Sequence, residues 1–193
     1  MESDTSPREN LDMSEVPFQK IDGLVLSKRL LESDERGSFS RVFEIDFISS
    51  LSQGEPLATC ISSNHHAGTV RGLHIQINPF EERKWITCLD GSIFDVVLDL
   101  RRDSSTFGCW ATLEMSADDS LSLEIPAGMA HGFQTLTPQT RLLYCIHGRY
   151  SDLHRKTINP FDINLNINWP LPTSKVSNSD MNSPSYLDYL KEY

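Results

Sequence analysis

The segment KWITCLDGSIFDVVLDLR, residues 84–101, constrains the fold more than any other part of the chain. Two apolar runs flank Asp90-Gly91, a dipeptide that suits the positive φ angles of a tight hairpin turn. Because successive side chains of a strand point to opposite faces, the second run has one wholly apolar face, which carries Phe94, Val96, Leu98 and Leu100. Its other face carries Ile93, Asp95, Val97 and Asp99. The segment therefore predicts an antiparallel hairpin with a half-buried second strand.

Two further short segments also have the composition of β-strands. SLSLEI, Ser120 to Ile125, should be a strand that stops at Pro126, and RLLYCIH, Arg141 to His147, should be its neighbour. From about Phe18 to Trp169 the runs are short, turn residues separate them and helical periods are few. This pattern predicts a mostly β, antiparallel sandwich or barrel.

The ends of the chain differ from this middle part. Residues 1–15 are polar and acidic, which predicts a disordered leader. Residues 16–193 are expected to form a single domain, a size that fits one core. Within it, the segment from about 171 to 193 should cover the barrel and include a short helix. The candidate caps of that helix are Asp180, Asn182 and Ser183.

Composition limits the partners and the compartment. The formal net charge of -10 disfavours binding to nucleic acid or to an anionic membrane surface. The four cysteines are widely spaced and form no CxxC pair, so reduced and mostly buried thiols are expected. Neither a signal peptide nor an apolar run of membrane-spanning length is present, which favours a cytoplasmic protein.

Two histidine-bearing segments, RGLHIQ and PAGMAH, resemble in order and spacing the paired motifs of the cupin superfamily. Metal cupins carry His-x-His in the first motif, but here Gln76 follows His74. Lys84 stands where a ligand-bearing strand would run, and an ammonium group repels a divalent cation. The pattern therefore disfavours a metal, and the remaining metal alternative is His74 and His131 with Glu81 or Glu82.

The same residues suit proton abstraction beside a carbonyl group. His74 can act as the base because imidazole titrates near neutral pH. Lys84 can stabilise the enolate that forms. Arg71 suits a phosphate, since its planar fork holds two oxygens at once. In an acidic protein these cations, with Arg36 or Arg41 as further candidates, would reverse the local field for an anionic substrate.

Taken together, the motifs are similar to the dTDP-4-dehydrorhamnose 3,5-epimerase family of metal-free cupins. These enzymes invert centres beside the ketone of a nucleotide-linked 4-keto-6-deoxy sugar. The resemblance runs from about Asp34 to Pro184 and implies a cupin-type jelly-roll barrel. The segments that carry it are DERGSFSR, AGTVRGLHIQ, ERKW, DGSIFDVVLDLRRDSSTFG, IPAGMAHGF, Tyr144 to Tyr150, and INWP.

The resemblance implies a catalytic set. His74 is the base, Asp180 orients it and stabilises its imidazolium, and Lys84 stabilises the enolate. Tyr144 delivers a proton from the opposite face of the sugar, and inversion at C3, C5 or both follows. No metal and no cofactor are expected.

It also implies residues that contact the substrate: Arg71, His131, Tyr150, Gln76, Arg36 and Phe39. Of these, Arg36 and Phe39 belong to an N-terminal segment that would reach the site of a second subunit. A homodimer with exchange of this segment is therefore expected.

Several alternatives remain open at this point. The chain could be a sugar-nucleotide 3,4-ketoisomerase on the same fold, or a non-catalytic cupin that binds a sugar nucleotide. Arg71 could pair with Asp95 or Asp99 as a structural bridge, and Tyr144 could be a core residue. The chain also departs from the family's usual residues at Arg41, Ile75, Pro160 and Ser179, positions that bear on recognition of the nucleotide and sugar.

Overall fold

The computed structural model describes residues 9–10, 21–42 and 57–193. In chain order the strands are β1 (Glu9–Asn10), β2 (Val25–Lys28), β3 (Leu31–Asp34), β4 (Gly37–Ser40), β5 (Leu57–Asn64), β6 (Val70–Gln76), β7 (Arg83–Asp90), β8 (Ser92–Asp99), β9 (Trp110–Ser116), β10 (Leu121–Ile125), β11 (Met129–Thr135), β12 (Thr140–His147) and β13 (Arg155–Thr157). Two short helices follow, α1 (Asn178–Met181) and α2 (Tyr186–Glu192).

The strands form two facing sheets and a separate hairpin. One sheet has the order β1-β2-β10-β7-β12-β5, and the other has the order β13-β6-β11-β8-β9. Within the described part of the chain, strands β3 and β4 pair only with each other. Every pairing between these strands is antiparallel, so the prediction of a mostly antiparallel β fold is confirmed.

The predicted hairpin at Asp90-Gly91 is wrong, although both of its strands exist. Strand β7 pairs with β10 and β12, whereas β8 pairs with β11 and β9 in the other sheet. Gly91 has φ +71°, and a Cβ there would lie 2.4 Å from Thr140 Oγ1 and 2.5 Å from Thr137 Oγ1. The turn is thus packed against the start of β12 and takes the chain from one sheet to the other.

Strand β8 is buried on both faces, so the half-buried prediction is also wrong. Ile93 and Val97 belong to the core between the sheets. Val96 and Leu98 point to the opposite face, where a second apolar cluster covers them. That cluster includes Ile158, Leu165 and Tyr189 from the C-terminal part of the chain. The strand pattern could not reveal this cover because it comes from a distant segment.

Two further sequence expectations need correction. Strand β10 does end at Ile125, but β7 lies between β10 and β12, so these two are not neighbours. Helix α2 is capped by Ser185, whose hydroxyl accepts a hydrogen bond from the backbone N–H of Asp188. The three candidate caps named from the sequence precede this serine; Asp180 lies inside α1, where Ser177 is the cap.

The proposed leader, residues 1–15, lies outside the described residues except for Glu9–Asn10, which pair with β2. Within the described ranges, no helix is long and apolar enough to cross a membrane.

Candidate active site

A cavity of ≈ 300 Å³ opens between the two sheets. Most of the candidate site residues named from the sequence line it: Arg71, His74, Gln76, Lys84, His131, Tyr144 and Tyr150. Except for Tyr150, which follows β12, they come from both sheets, namely from β6 and β11 on one side and from β7 and β12 on the other. The sandwich thus gathers side chains that are far apart in the sequence.

The close approach of β6 and β11 places His74 opposite His131. Gly72 has φ +105°, and a Cβ at this position would lie 2.6 Å from the carbonyl oxygen of His131. Only glycine therefore fits there. The two histidines are paired in register across the strands. This explains in physical terms why the motif RGLH carries a glycine two residues before its histidine.

His74 is paired with Asp180. The ring Nε2 lies 2.8 Å from Asp180 Oδ1, and the Gly72 N–H donates to Asp180 Oδ2 over 3.3 Å. Asp180 is buried, whereas the His74 side chain is 31% exposed. Because an ionised carboxylate only accepts hydrogen bonds, we assign the imidazole proton to Nε2. The lone pair of the neutral ring then lies on Nδ1, which is available as a base.

The surroundings keep His74 neutral and Asp180 ionised. Burial lowers the pKa of His74, Asp180 opposes this, and the positive charges of Arg155 and Lys84 lower it further. For Asp180, burial alone would raise the pKa, but hydrogen bonds from His74, the Gly72 backbone and Ser177 lower it overall. The pair is thus set to accept a proton on the ring and to stabilise the resulting imidazolium.

Lys84 is a buried cation in the wall of the cavity. Its Nζ lies 3.8 Å from Glu82 Oε2, and Glu82 Oε1 accepts a hydrogen bond of 3.1 Å from Gln76 Nε2. Burial lowers the pKa of Lys84, and the charge of Glu82 opposes this. The sequence alone gave Glu82 only a possible metal-binding role, whereas the structure makes it the partner of Lys84.

Gln76 also has a free acceptor. Its Oε1 is buried and has no hydrogen-bond partner within the described part of the chain. Since an unpaired buried acceptor costs about 1–3 kcal/mol, this oxygen is suited to a donor supplied by a ligand. In the described ranges, no group of three His, Cys, Asp or Glu side chains is arranged to hold a metal ion.

Tyr144 and His131 line the cavity together. Their rings meet edge to face, with centroids 6.1 Å apart. Burial, together with the charge of Asp95, raises the pKa of Tyr144 well above its usual range, so its hydroxyl keeps its proton. His131 Nε2 lies 2.8 Å from Asp95 Oδ2, and both side chains are buried. The site therefore holds two histidine–aspartate pairs and a protonated tyrosine.

The two peripheral residues are held by neighbours. Arg71 is exposed, and its Nε donates to Asn64 Oδ1 over 2.7 Å. The alternative pairing of Arg71 with Asp95 or Asp99 is wrong, because Asp95 pairs with His131 and Asp99 pairs with Arg101. Tyr150 is also exposed, and its hydroxyl donates to Asp152 Oδ1 over 2.7 Å.

Arg36 and Phe39 are not brought into the cavity of their own chain. They lie on the β3–β4 hairpin and line a separate recess, whose described lining residues all belong to the hairpin. The Arg36 side chain is 85% exposed and pairs with Asp34, and Phe39 is 63% exposed. The hairpin therefore presents an arginine and an aromatic ring to the outside.

The chain matches the family model of dTDP-4-dehydrorhamnose 3,5-epimerase over residues 19–188. The chain belongs to this family. The dTDP-4-dehydrorhamnose 3,5-epimerase of Shigella flexneri is 32% identical over 180 residues, which cover 93% of this chain and 97% of the relative. The dTDP-4-dehydro-6-deoxyglucose 3-epimerase of Streptomyces bikiniensis is 30% identical, and the match covers 86% of this chain and 85% of the relative.

Solved structures of epimerases agree with the fold. The dTDP-4-dehydrorhamnose 3,5-epimerase of Bacillus anthracis, with TDP and PPi bound, has a TM-score of 0.78 at 34% identity and covers 86% of this chain and 98% of its own. The 3′-monoepimerase of Streptomyces bikiniensis, in complex with dTDP-quinovose, has a TM-score of 0.80 at 29% identity, with 90% and 89% covered. These epimerases have the cupin-type fold, which confirms the fold class predicted from the sequence.

Three residues of the epimerase cavity escaped the sequence analysis in the roles they take. Arg155 lies in the wall with Nη2 3.2 Å from His74 Nε2. Asp95 holds His131, and Glu82 holds Lys84. No motif marks Arg155, and only the pairing of β13 with β6, which sets Arg155 opposite Gln76, brings it to the site.

Proposed function

We propose that this chain is an isomerase that inverts C3, C5 or both of a nucleotide-linked 4-keto-6-deoxy sugar, without a metal or a cofactor, in deoxysugar biosynthesis. The observation that carries the proposal is the His74–Asp180 pair at 2.8 Å, which faces the same cavity as Lys84 and Tyr144. The names of the epimerase relatives support this substrate class.

In the first step His74 takes the proton from the carbon beside the ketone. The electrons of the broken C–H bond move into the carbonyl group and give an enolate, while the imidazole becomes an imidazolium held by Asp180. A positioned base of this kind contributes about 10²–10⁴-fold. Lys84 places a positive charge where the enolate oxygen develops its negative charge.

In the second step the same carbon receives a proton from the opposite face. Tyr144 is the donor, and its raised pKa supports this because the hydroxyl is protonated before the step. The carbon loses one proton and gains another, so the configuration changes while the oxidation state does not. Solvent restores the protonation of both side chains afterwards.

The remaining cavity residues bind the substrate. Arg71 contacts the diphosphate, which its fork geometry and constant charge suit. His131, Gln76 and Tyr150 contact the sugar, and the free Gln76 Oε1 supports a hydrogen bond from a sugar hydroxyl. Locally gathered cations are needed because the whole chain carries a formal charge of -10.

We further propose that the active form is a homodimer in which the β3–β4 hairpin of each chain reaches the cavity of the other. The exposure of Phe39 and Arg36, which line a recess other than the cavity, supports this. There Phe39 stacks on the nucleotide and Arg36 contacts its phosphate. Phe39→Ala should raise KM for the nucleotide sugar and leave kcat nearly unchanged; an unchanged KM in a dimeric variant contradicts this exchange.

A cytoplasmic location is part of the same proposal. The cysteines at 60, 88, 109 and 145 are all free, which suits a reducing compartment. Fractionation of cells that express the full chain, with activity measured in each fraction, tests it.

The reaction is tested with dTDP-4-keto-6-deoxyglucose in heavy water. Deuterium should enter at C3, C5 or both, and NMR of the product should show the changed configuration at the labelled carbon. Labelling at one position identifies a single-centre epimerase, and labelling at both identifies a double epimerase. His65→Ala, in an exposed loop, is the matched control and should label like the wild type. Absence of label with any 4-keto sugar nucleotide contradicts the proposal.

A further inference from the structure

Arg155 is a cation held beside the proposed base. It is the first residue of β13, its backbone N–H donates to Ser151 O over 3.0 Å, and β13 pairs with the strand that carries His74. Its side chain is exposed and lines the cavity, with Nη2 3.2 Å from His74 Nε2. The backbone thus fixes the start of this side chain, while its charged end meets the ring.

One ring nitrogen cannot form both of its close contacts as hydrogen bonds. Asp180 only accepts, so its contact requires a proton on Nε2. Arg155 only donates, so its contact requires a lone pair on the same nitrogen. With the Nε2 proton directed at Asp180, the neutral ring meets Arg155 without a hydrogen bond. When Nδ1 takes up a second proton, the ring becomes positively charged and repels the guanidinium. Asp180 and Arg155 therefore favour opposite charge states of His74.

The charge of Arg155 is not neutralised locally. The described residues place no carboxylate within salt-bridge distance of its guanidinium. The other titratable groups around His74 and Arg155 are Asp180 on α1, Lys84 on β7 with its partner Glu82 just before that strand, His131 on β11, Tyr144 on β12, and Tyr150, which hydrogen-bonds Arg155. Of the charged groups, Arg155 and Lys84 lower the pKa of His74, and Asp180 raises it.

Arg155 also has room to leave. A second recess of ≈ 270 Å³ lies on its other side, and its lining includes Ser179 and Glu192. The recess gives the exposed Arg155 side chain, which also interacts with the Tyr150 hydroxyl, a place to turn away from His74.

We propose that Arg155 is a positioning residue that acts through His74, holding the ring neutral in the empty site and turning away when the ring takes up the substrate proton. This rests on the proposed function for its role in turnover. The arrangement keeps the base ready before the substrate arrives, and it leaves the imidazolium to Asp180 alone once proton transfer begins.

The test uses the full chain and three variants. Arg155→Met removes the charge and keeps the length of the stem, Arg155→Lys keeps the charge, and Arg149→Met is the control at an exposed arginine outside the cavity lining. NMR titration of the His74 ring is recorded without substrate, and the pH profile of kcat/KM is recorded with dTDP-4-keto-6-deoxyglucose.

In Arg155→Met, the His74 titration midpoint should move to higher pH, and the acid limb of the kcat/KM profile should move in the same direction. Arg155→Lys should stay close to the wild type, and Arg149→Met should match it. An unmoved His74 midpoint in Arg155→Met overturns the proposal, as does a rise in KM with both midpoints unchanged, which would make Arg155 a substrate contact. The NMR arm needs no substrate, so failure of the epimerase assignment is seen separately.

Discussion

The two histidine–aspartate pairs of the cavity have the same separation but differ in how exposed the histidine is. In both, a ring Nε2 lies 2.8 Å from a carboxylate oxygen, and the two histidines face each other across β6 and β11. The His131 and Asp95 side chains are 5% and 1% exposed, and both lie on central strands of one sheet. His74 is 31% exposed, and its partner comes from the C-terminal segment.

The difference lies in accessibility and support, not in the pairing itself. The proposed base is partly open, whereas the histidine proposed to contact the sugar is buried against a buried carboxylate. A ring that must exchange protons with a substrate needs an open nitrogen and a partner that tolerates the change in charge. Asp180 meets this need from a one-turn helix capped by Ser177. Asp95 is fixed in the sheet, so the His131 pair builds the wall against which Tyr144 packs.

The largest expected effect is on activity, and it concerns His74, the proposed base. His74→Ala should lower the rate of deuterium incorporation about 10²–10⁴-fold, because the general base is lost. Its free energy of unfolding should fall by about 1–2 kcal/mol, because buried Asp180 loses one hydrogen-bond partner. Rate measurement by NMR and chemical denaturation on the same preparation check both. A wild-type rate of deuterium incorporation in His74→Ala would show that the His74–Asp180 pair has no special role in proton transfer.

The next effect separates the two carboxylates by stability. Asp95→Ala leaves His131 buried without its partner and should lower the free energy of unfolding by about 3 kcal/mol. Asp180→Ala removes hydrogen bonds to His74 and the Gly72 backbone and should cost about 1–2 kcal/mol. Urea denaturation measures both. Equal losses of unfolding free energy in the two variants would show that the partly exposed pair stabilises the fold as much as the buried pair does.

A smaller effect concerns the support of Asp180. Ser177→Ala removes the cap of α1 and should lower the free energy of unfolding by about 1 kcal/mol, with a clear fall in kcat because Asp180 is less well placed. Ser185→Ala removes the cap of α2, which does not bear Asp180, and serves as the control. An equal fall in kcat for both variants would contradict a specific role of the α1 cap in placing Asp180.

The smallest expected effect is a change in pH dependence. The pKa of His74 is lowered from its ordinary value of 6.5 in the folded protein, mainly by burial. The unfolded chain therefore binds this proton at higher pH, so the stability linked to His74 is complete above about pH 6.5 and is lost as the pH falls through the folded pKa. His74→Gln should flatten unfolding free energy between about pH 7 and pH 5. His65→Gln is the control, and identical slopes in all three proteins would contradict the lowered pKa.

The sequence predicts strands better than it predicts their partners. The runs around Asp90-Gly91 are strands, because turn chemistry and side-chain alternation are local properties. Their assignment to different sheets depends on the packing of Gly91 against Thr137 and Thr140, which are distant in the sequence. Burial of both faces of β8 depends in the same way on Tyr189 and its neighbours.

For the candidate site, too, local sequence patterns predicted some residues, whereas others depend on contacts between distant segments. Ordered motifs pointed to His74, Lys84, Tyr144 and Asp180, and the structure gathers them around one cavity. Their roles stay predictions. The partners that set their charges, Arg155 among them, come from strand register and had no local signal. The structure of one chain leaves the contacts of Arg36 and Phe39 as predictions, because their proposed target lies on a second subunit.

The most direct test of His74 as the base is rescue of His74→Ala by added imidazole in heavy water. The variant should label dTDP-4-keto-6-deoxyglucose very slowly alone. Labelling should recover as the concentration of free imidazole base rises, because the added ring replaces the missing one. Labelling by His74→Ala at the wild-type rate without imidazole would contradict the assignment of His74 as the base.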